Sequence, residues 1–99
     1  MTHEKIKQLG YIYEPAPLEV MTFHSARRVG NLLFTSGQIP AYEDQAIKGL
    51  VGADINLDVA FHAAEICAFN CVRAAGSIVA LEDIVGVVKV LGMVNAASG

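Results

Sequence analysis

No run of about 18 apolar residues occurs in the 99-residue chain, so the sequence predicts no membrane-spanning helix. The first residues, Met-Thr-His-Glu-Lys-Ile-Lys, are charged and have no apolar stretch behind them, unlike a secretory leader. The expected compartment is therefore the cytoplasm. Basic residues are few and scattered, and only Arg27-Arg28 form a pair. Nucleic-acid binding wants a basic stripe, which is lacking here, and the net charge is −3. Neither a nucleic acid nor a membrane is an expected partner. Cysteine is limited to Cys67 and Cys71, whose side chains would run up one helix face in a poor geometry for a disulfide. Adding His3, His24 and His62 does not give a finger-like set of four ligands, so no metal site is expected.

The apolar fraction is 54% and the charged fraction only 17%. Soluble domains run at about 45–50% and about 25%. That composition excludes intrinsic disorder. A chain this short hides only ~60–70% of the surface its unfolded form exposes. The apolar excess implies that the chain associates with other copies or belongs to something longer. One domain over residues 1–99 is expected, incomplete as it stands, with residues 1–19 irregular around Pro15 and Pro17.

Local signals then define elements. Phe23–Val29 reads as a strand with Phe23, Ser25, Arg27 and Val29 on one face. Gly30-Asn31 is a two-residue hairpin loop, because Gly tolerates the positive φ such turns need. Leu32–Ser36 is the return strand, and Pro40 ends the ladder. Residues 41–48 read as a loop, and Gly49–Gly52 as a short strand. Asn56 is a plausible N-cap for a helix reaching Ala75, with Asp58 in its first turn and Gly76 at its C-terminal end. Ala60, Ala63, Cys67, Cys71 and Ala74 share one face of that helix, and Asp58, His62, Glu65 and Arg73 the solvated one. Ile84–Leu91 reads as a further central strand, covered on both faces. The order β-β-(β)-α-β predicts an α+β fold: a β-hairpin plus a helix on one face of a mixed sheet, ending after the strand near 84–94. The other sheet face has nothing in the chain to cover it.

The stretch Gly30-Asn31-Leu-Leu-Phe-Thr-Ser36-Gly37-Gln38-Ile39-Pro40 resembles the hairpin motif of the Rid (YjgF) family, the reactive intermediate deaminases. Asn70, Ala74-Ala75-Gly76 and Asp83-Ile84-Val85 match further family positions in order, so the resemblance runs from about residue 20 to 99. It implies a chorismate-mutase-like fold and a homotrimer with sites in clefts between subunits. It also implies hydrolysis of 2-imino and enamine acids to 2-keto acids and ammonia, without a cofactor. The expected ligand is a small carboxylate-bearing metabolite, and the alternatives are a non-catalytic oligomer that binds one or an inactive fragment of a longer family member.

Of the family's site, Ser36, the backbone of Gly37 and the ring of Phe23 carry over. Phe23 stands where a tyrosine is usual, so the ring is kept and the hydroxyl donor lost. The family's carboxylate-clamping arginine and water-positioning glutamate lie beyond the matched segment. Arg73 and Glu65 do not match them, and no catalytic residue is assigned. The plainer expectations are a Ser36 hydroxyl tied to nearby backbone, solvated His24 and His62, and surface roles for Arg27 and Arg28.

Overall fold

Residues 2–99 are described by the computed structural model. Thr2 caps a first helix, α1 (His3–Gln8), by accepting the Lys5 N–H at 3.3 Å. The N-terminal stretch is thus not irregular throughout, as expected above. Ile6 gives the helix one buried anchor, and Gly10, at φ 92°, turns the chain back.

Residues 11–17 run as a strap over the long helix. The strands follow as β1 (Glu19–Val20), β2 (Phe23–His24), β3 (Ala26–Val29), β4 (Leu32–Thr35), β5 (Ala41–Tyr42) and β6 (Gln45–Ala46). They form three separate antiparallel pairs, β1–β2, β3–β4 and β5–β6, rather than one mixed sheet. The expected strand from Phe23 is interrupted at Ser25. This residue donates its hydroxyl to the Pro17 carbonyl and its N–H to the Leu18 carbonyl at 2.7 Å. The hairpin itself forms as expected, with Val29 opposite Leu32 and Gly30 at φ 57°. Residues 41–48 are not simply a loop. Glu43 and Asp44, at φ 52° and 64°, make a tight two-residue turn between β5 and β6.

The long helix α2 (Leu57–Ala75) starts where the sequence places it. Asn56 Oδ1 accepts the Val59 N–H at 2.9 Å, and Asp58 lies in the first turn. Its buried residues are Ile66, Phe69, Asn70, Ala74 and Ala75. The expected small-residue face is half-buried at Ala60, Ala63, Cys67 and Cys71 and fully buried at Ala74, while the neighbouring Ile66 and Phe69 carry the core contacts. The core joins Ile6, Tyr11, Ile66, Phe69 and Leu81, with Tyr11 stacked on Phe69 at 4.5 Å between ring centroids. Gly76 is right-handed rather than left-handed, and its lack of a Cβ serves a close approach by the Tyr13 hydroxyl instead.

A single 3-10 turn, Leu81–Asp83, precedes the largest departure from expectation. Residues 84–94 form no strand; Ile84 is half-buried against the core, and the apolar side chains from Val85 on stand in solvent, Val85 fully so. β-branched residues favour extended backbone, but a strand also needs a neighbour to take its N–H and C=O groups. Among the described residues, 85–94 make no backbone hydrogen bond. Gly49–Gly52 gives only isolated bridges, from Val51 to Ile55 and to Ala96. The class is α+β, with short antiparallel pairs packed around one long helix. Among the described residues no helix is long and apolar enough to cross a membrane.

Candidate functional site

The open end of the β3–β4 hairpin carries Ser36 and Gly37, two of the residues singled out in the sequence. The Ser36 N–H donates to the Ser25 carbonyl at 2.9 Å, which prolongs the ladder by one pair beyond β4. Gln38 Nε2 donates to Ser36 Oγ at 3.1 Å and to the Ser36 carbonyl at 3.3 Å. The Ser36 hydroxyl therefore has an accepting lone pair filled, while its own O–H remains available as a donor. Gly37 follows with an exposed backbone and open space around its Cα. Its N–H makes no hydrogen bond among the described residues. Phe23, 46% exposed, lies two residues before Ser25 on the adjoining β1–β2 pair.

The hairpin's cross-strand pairs define its two faces. Ala26 pairs with Thr35 and Arg28 with Leu33, whereas Arg27 pairs with Phe34 and Val29 with Leu32. Ala26 is buried and Leu33 half-buried, so that first face looks inward, toward α2. The second face, bearing Arg27, Val29, Leu32 and Phe34, is exposed throughout. Strand alternation puts Ser36 on the same side as Phe34. Arg27 and Ser36 are then diagonal neighbours, with Cα atoms about 7–8 Å apart in such a pair.

The two arginines differ in what holds them. Arg28 Nε donates to the Gly30 carbonyl at 2.8 Å and Arg28 Nη2 to Asn31 Oδ1 at 3.4 Å, so Arg28 staples the turn. Arg27 makes no hydrogen bond or ion pair among the described residues. Nothing in the sequence separated these adjacent residues beyond the alternation of faces.

A second polar cluster lies along α2, where sequence reasoning expected a solvated face. Glu65 Oε1 accepts the Tyr11 hydroxyl at 2.6 Å. Burial, then the Glu65 hydrogen bond and charge, push the Tyr11 phenol up to about 12. Arg73 Nε donates to the Glu14 carbonyl at 2.7 Å, and Arg73 Nη1 reaches Asn70 Oδ1 at 3.4 Å. Glu65 and Arg73 therefore fasten the strap of residues 11–17 to the helix. Beside them Ile12, Glu14, Tyr42, Glu43 and Arg73 line a cleft of about 230 Å³. A shallow groove of about 620 Å³ runs along His3, Glu4, Lys7 and Gln8. Neither cavity is lined by Phe23, Ser36 or Gly37.

His62 and His24 stay largely in solvent, 3.9 Å from Glu65 and 3.8 Å from Glu19 respectively. Cys67 and Cys71 are free thiols, and burial raises the Cys67 pKa. Among the described residues no three His, Cys, Asp or Glu side chains are grouped to hold a metal ion.

Comparison with protein-family models, curated proteins and solved structures finds no match for this chain.

Proposed function

We propose that the uncovered hairpin face binds a small carboxylate-bearing metabolite. In the assembled Rid-like protein, 2-imino and enamine acids are hydrolysed there to 2-keto acids and ammonia. The carrying observation is the placement of an unpaired guanidinium, Arg27, diagonally from the Ser36 hydroxyl and the unbonded Gly37 N–H. A guanidinium is suited to a planar carboxylate, because its N–H donors match both oxygens. Ser36 and Gly37 add neutral donors for the imine end or its developing charge. Phe23 and Phe34 supply apolar walls.

The net reaction consumes one water: the C=N carbon gains oxygen as a carbonyl, and nitrogen leaves as ammonia. General acid–base help, worth about 10²–10⁴-fold, is what such a step needs. The described hairpin face carries no carboxylate, so a second copy must bring the base to it. That requirement fits the homotrimer and chorismate-mutase-like subunit that the Rid resemblance implies.

The test supplies a 2-imino acid, generated in place by an amino-acid oxidase, and follows ammonia release with and without the pure protein. Faster release is the expected result. Release at the rate of buffer, together with saturable binding of a 2-keto acid, would replace hydrolysis by simple metabolite binding. Absence of both would overturn the proposal.

A further inference from the structure

The cleft beside the strap, lined by Ile12, Glu14, Tyr42, Glu43 and Arg73, holds charges of both signs that do not neutralise one another. Among the described residues, neither Glu14 nor Glu43 has a cationic nitrogen within 4.0 Å of its carboxylate, and neither carboxylate accepts a hydrogen bond. Arg73 spends only part of its guanidinium. Its Nε donates to the Glu14 carbonyl at 2.7 Å and its Nη1 to Asn70 Oδ1 at 3.4 Å. The N–H donors of Nη2 and the second one of Nη1 stay unspent among the described residues. Tyr42 Oη accepts the Ile12 N–H at 3.1 Å, which leaves its own proton to donate.

These groups stand on fixed parts of the fold. The Tyr42 ring packs edge-on to Tyr11 and Phe69, with centroids 5.1 and 5.8 Å apart. The Ala41 carbonyl just before it accepts Asn70 Nδ2 at 2.9 Å. Glu43 follows directly, as the first residue of the tight β5–β6 turn. Across the cleft, the Ala16 N–H donates to the Arg73 carbonyl at 2.9 Å and holds the strap, with Glu14, against the end of α2. A site anchored in this way needs little ordering to receive a ligand. Its volume, about 230 Å³, falls below the roughly 300–1,000 Å³ of pockets for drug-sized molecules, so the occupant is small.

We infer that this cleft binds a free α-amino acid as its zwitterion, the carboxylate on Arg73 and Tyr42 and the ammonium on Glu14 and Glu43. A carboxylate takes donors only, and the guanidinium and the phenol proton are donors. An ammonium gives donors only, and the two carboxylates are acceptors. A ligand with a single charge would leave the opposite sign of the cleft unanswered. In an α-amino acid both charged groups sit on one carbon, which lets a molecule of this size present them together. Ile12, 68% exposed, and the Tyr42 ring offer apolar surface to an aliphatic side chain. The 2-keto acid proposed for the hairpin face has no ammonium, so this second site stands independently of that reading.

The test titrates L-leucine into ¹⁵N-labelled protein and follows it by NMR. Its two one-ended relatives, 4-methylpentanoate and 3-methylbutylamine, are titrated in parallel. Saturable shifts of the Arg73 Nε–H and of the Ile12 and Glu43 amides are expected with leucine, and binding at least about tenfold weaker with either relative. The double substitution Glu14→Gln and Glu43→Gln removes no hydrogen bond or ion pair of the fold among the described residues. It should leave the melting temperature unchanged and weaken leucine by at least roughly 10-fold. Binding of the amine as tight as that of leucine would make the cleft a cation site, and equal binding of 4-methylpentanoate an anion site. Leucine shifts confined to residues 23–37 would place it on the hairpin. Each of these results overturns the inference, as do full affinity in the double variant and absence of saturable shifts up to about 10 mM leucine.

Discussion

The Nδ2 of Asn70 lies 2.9 Å from the carbonyl oxygen of Ala41 and donates to it, while the same nitrogen donates to Ile39 at 3.1 Å. These carbonyls flank Pro40, so one buried side chain of α2 holds the end of the Ser36-Gly37-Gln38-Ile39-Pro40 stretch against the helix. Replacing it removes two bonds and strands two acceptors. Asn70→Ala should destabilise the fold by about 2–3 kcal/mol. Asn70→Asp should cost at least as much, because an ionised carboxylate there accepts where a donor is needed. Urea unfolding followed by circular dichroism measures both. A loss below 1 kcal/mol in each would remove Asn70 from this role.

Tyr13 and Gly76 make a second coupled pair. A Cβ added at Gly76 would overlap the Tyr13 hydroxyl, which is buried without a hydrogen-bond partner among the described residues. Gly76→Ala should therefore destabilise, even though Gly76 has ordinary right-handed backbone that alanine adopts freely. Tyr13→Phe removes the colliding atom and an unsatisfied polar group, so alone it should be neutral or stabilising. The double variant should recover most of the loss. Additive costs in this cycle would mean that the two residues do not meet.

Legibility in the sequence followed how local the determining interaction is. Gly30-Asn31 and the apolar residues around it specify the β3–β4 hairpin through neighbours a few positions apart, and Asn56 marks the start of α2 within one turn. The strap over residues 11–17 was hidden because its fastenings are long-range: Tyr11 to Glu65, and Arg73 to Glu14. Nothing within ten residues of Tyr11 announces that a carboxylate will meet it. The 84–94 segment failed for the opposite reason. Its local pattern is strongly strand-like, but a strand is completed by a partner, and propensity alone cannot supply one. At the candidate site, Ser36 and Gly37 were legible from the motif. Arg27 was not, because its freedom becomes clear only once Arg28 is seen holding the turn.

The Tyr11 phenol gives a pH dependence of known sign. It is raised from 10.0 to about 12, by burial first and then by Glu65, so the folded chain favours its neutral form. Between these values the native state holds a proton that the unfolded state has lost. The contribution is complete below the unfolded value and is lost as pH rises toward about 12. Tyrosinate absorbance should show Tyr11 titrating latest of the three tyrosines, with Tyr13, whose phenol burial also raises, later than free phenol as well, and stability should fall across that window. In Tyr11→Phe the latest phase should vanish and this part of the fall with it, leaving only the delayed Tyr13 phase. An unchanged titration curve above the free-phenol range would assign the latest phase to another ring.

Ligand binding should separate the two adjacent arginines. Arg27 is unpaired on the open hairpin face, whereas Arg28 is committed to Gly30 and Asn31. A charge-assisted contact to a carboxylate contributes about 1.5–3 kcal/mol, so Arg27→Ala should weaken binding of a small 2-keto acid by roughly 10- to 100-fold. Its stability should barely change, since no hydrogen bond or ion pair among the described residues is lost. Arg28→Ala should do the reverse, lowering the melting temperature by loosening the turn while leaving affinity close to wild type. Ser36→Ala removes a neutral donor and should cost less, about 0.5–1.5 kcal/mol in affinity. Arg27→Lys keeps the charge and loses the planar fork, so a recovery smaller than that of charge alone would identify two-point recognition of the carboxylate. Isothermal titration of each variant against the same keto acid distinguishes these cases. Equal affinity in Arg27→Ala and wild type would move the ligand off this face altogether.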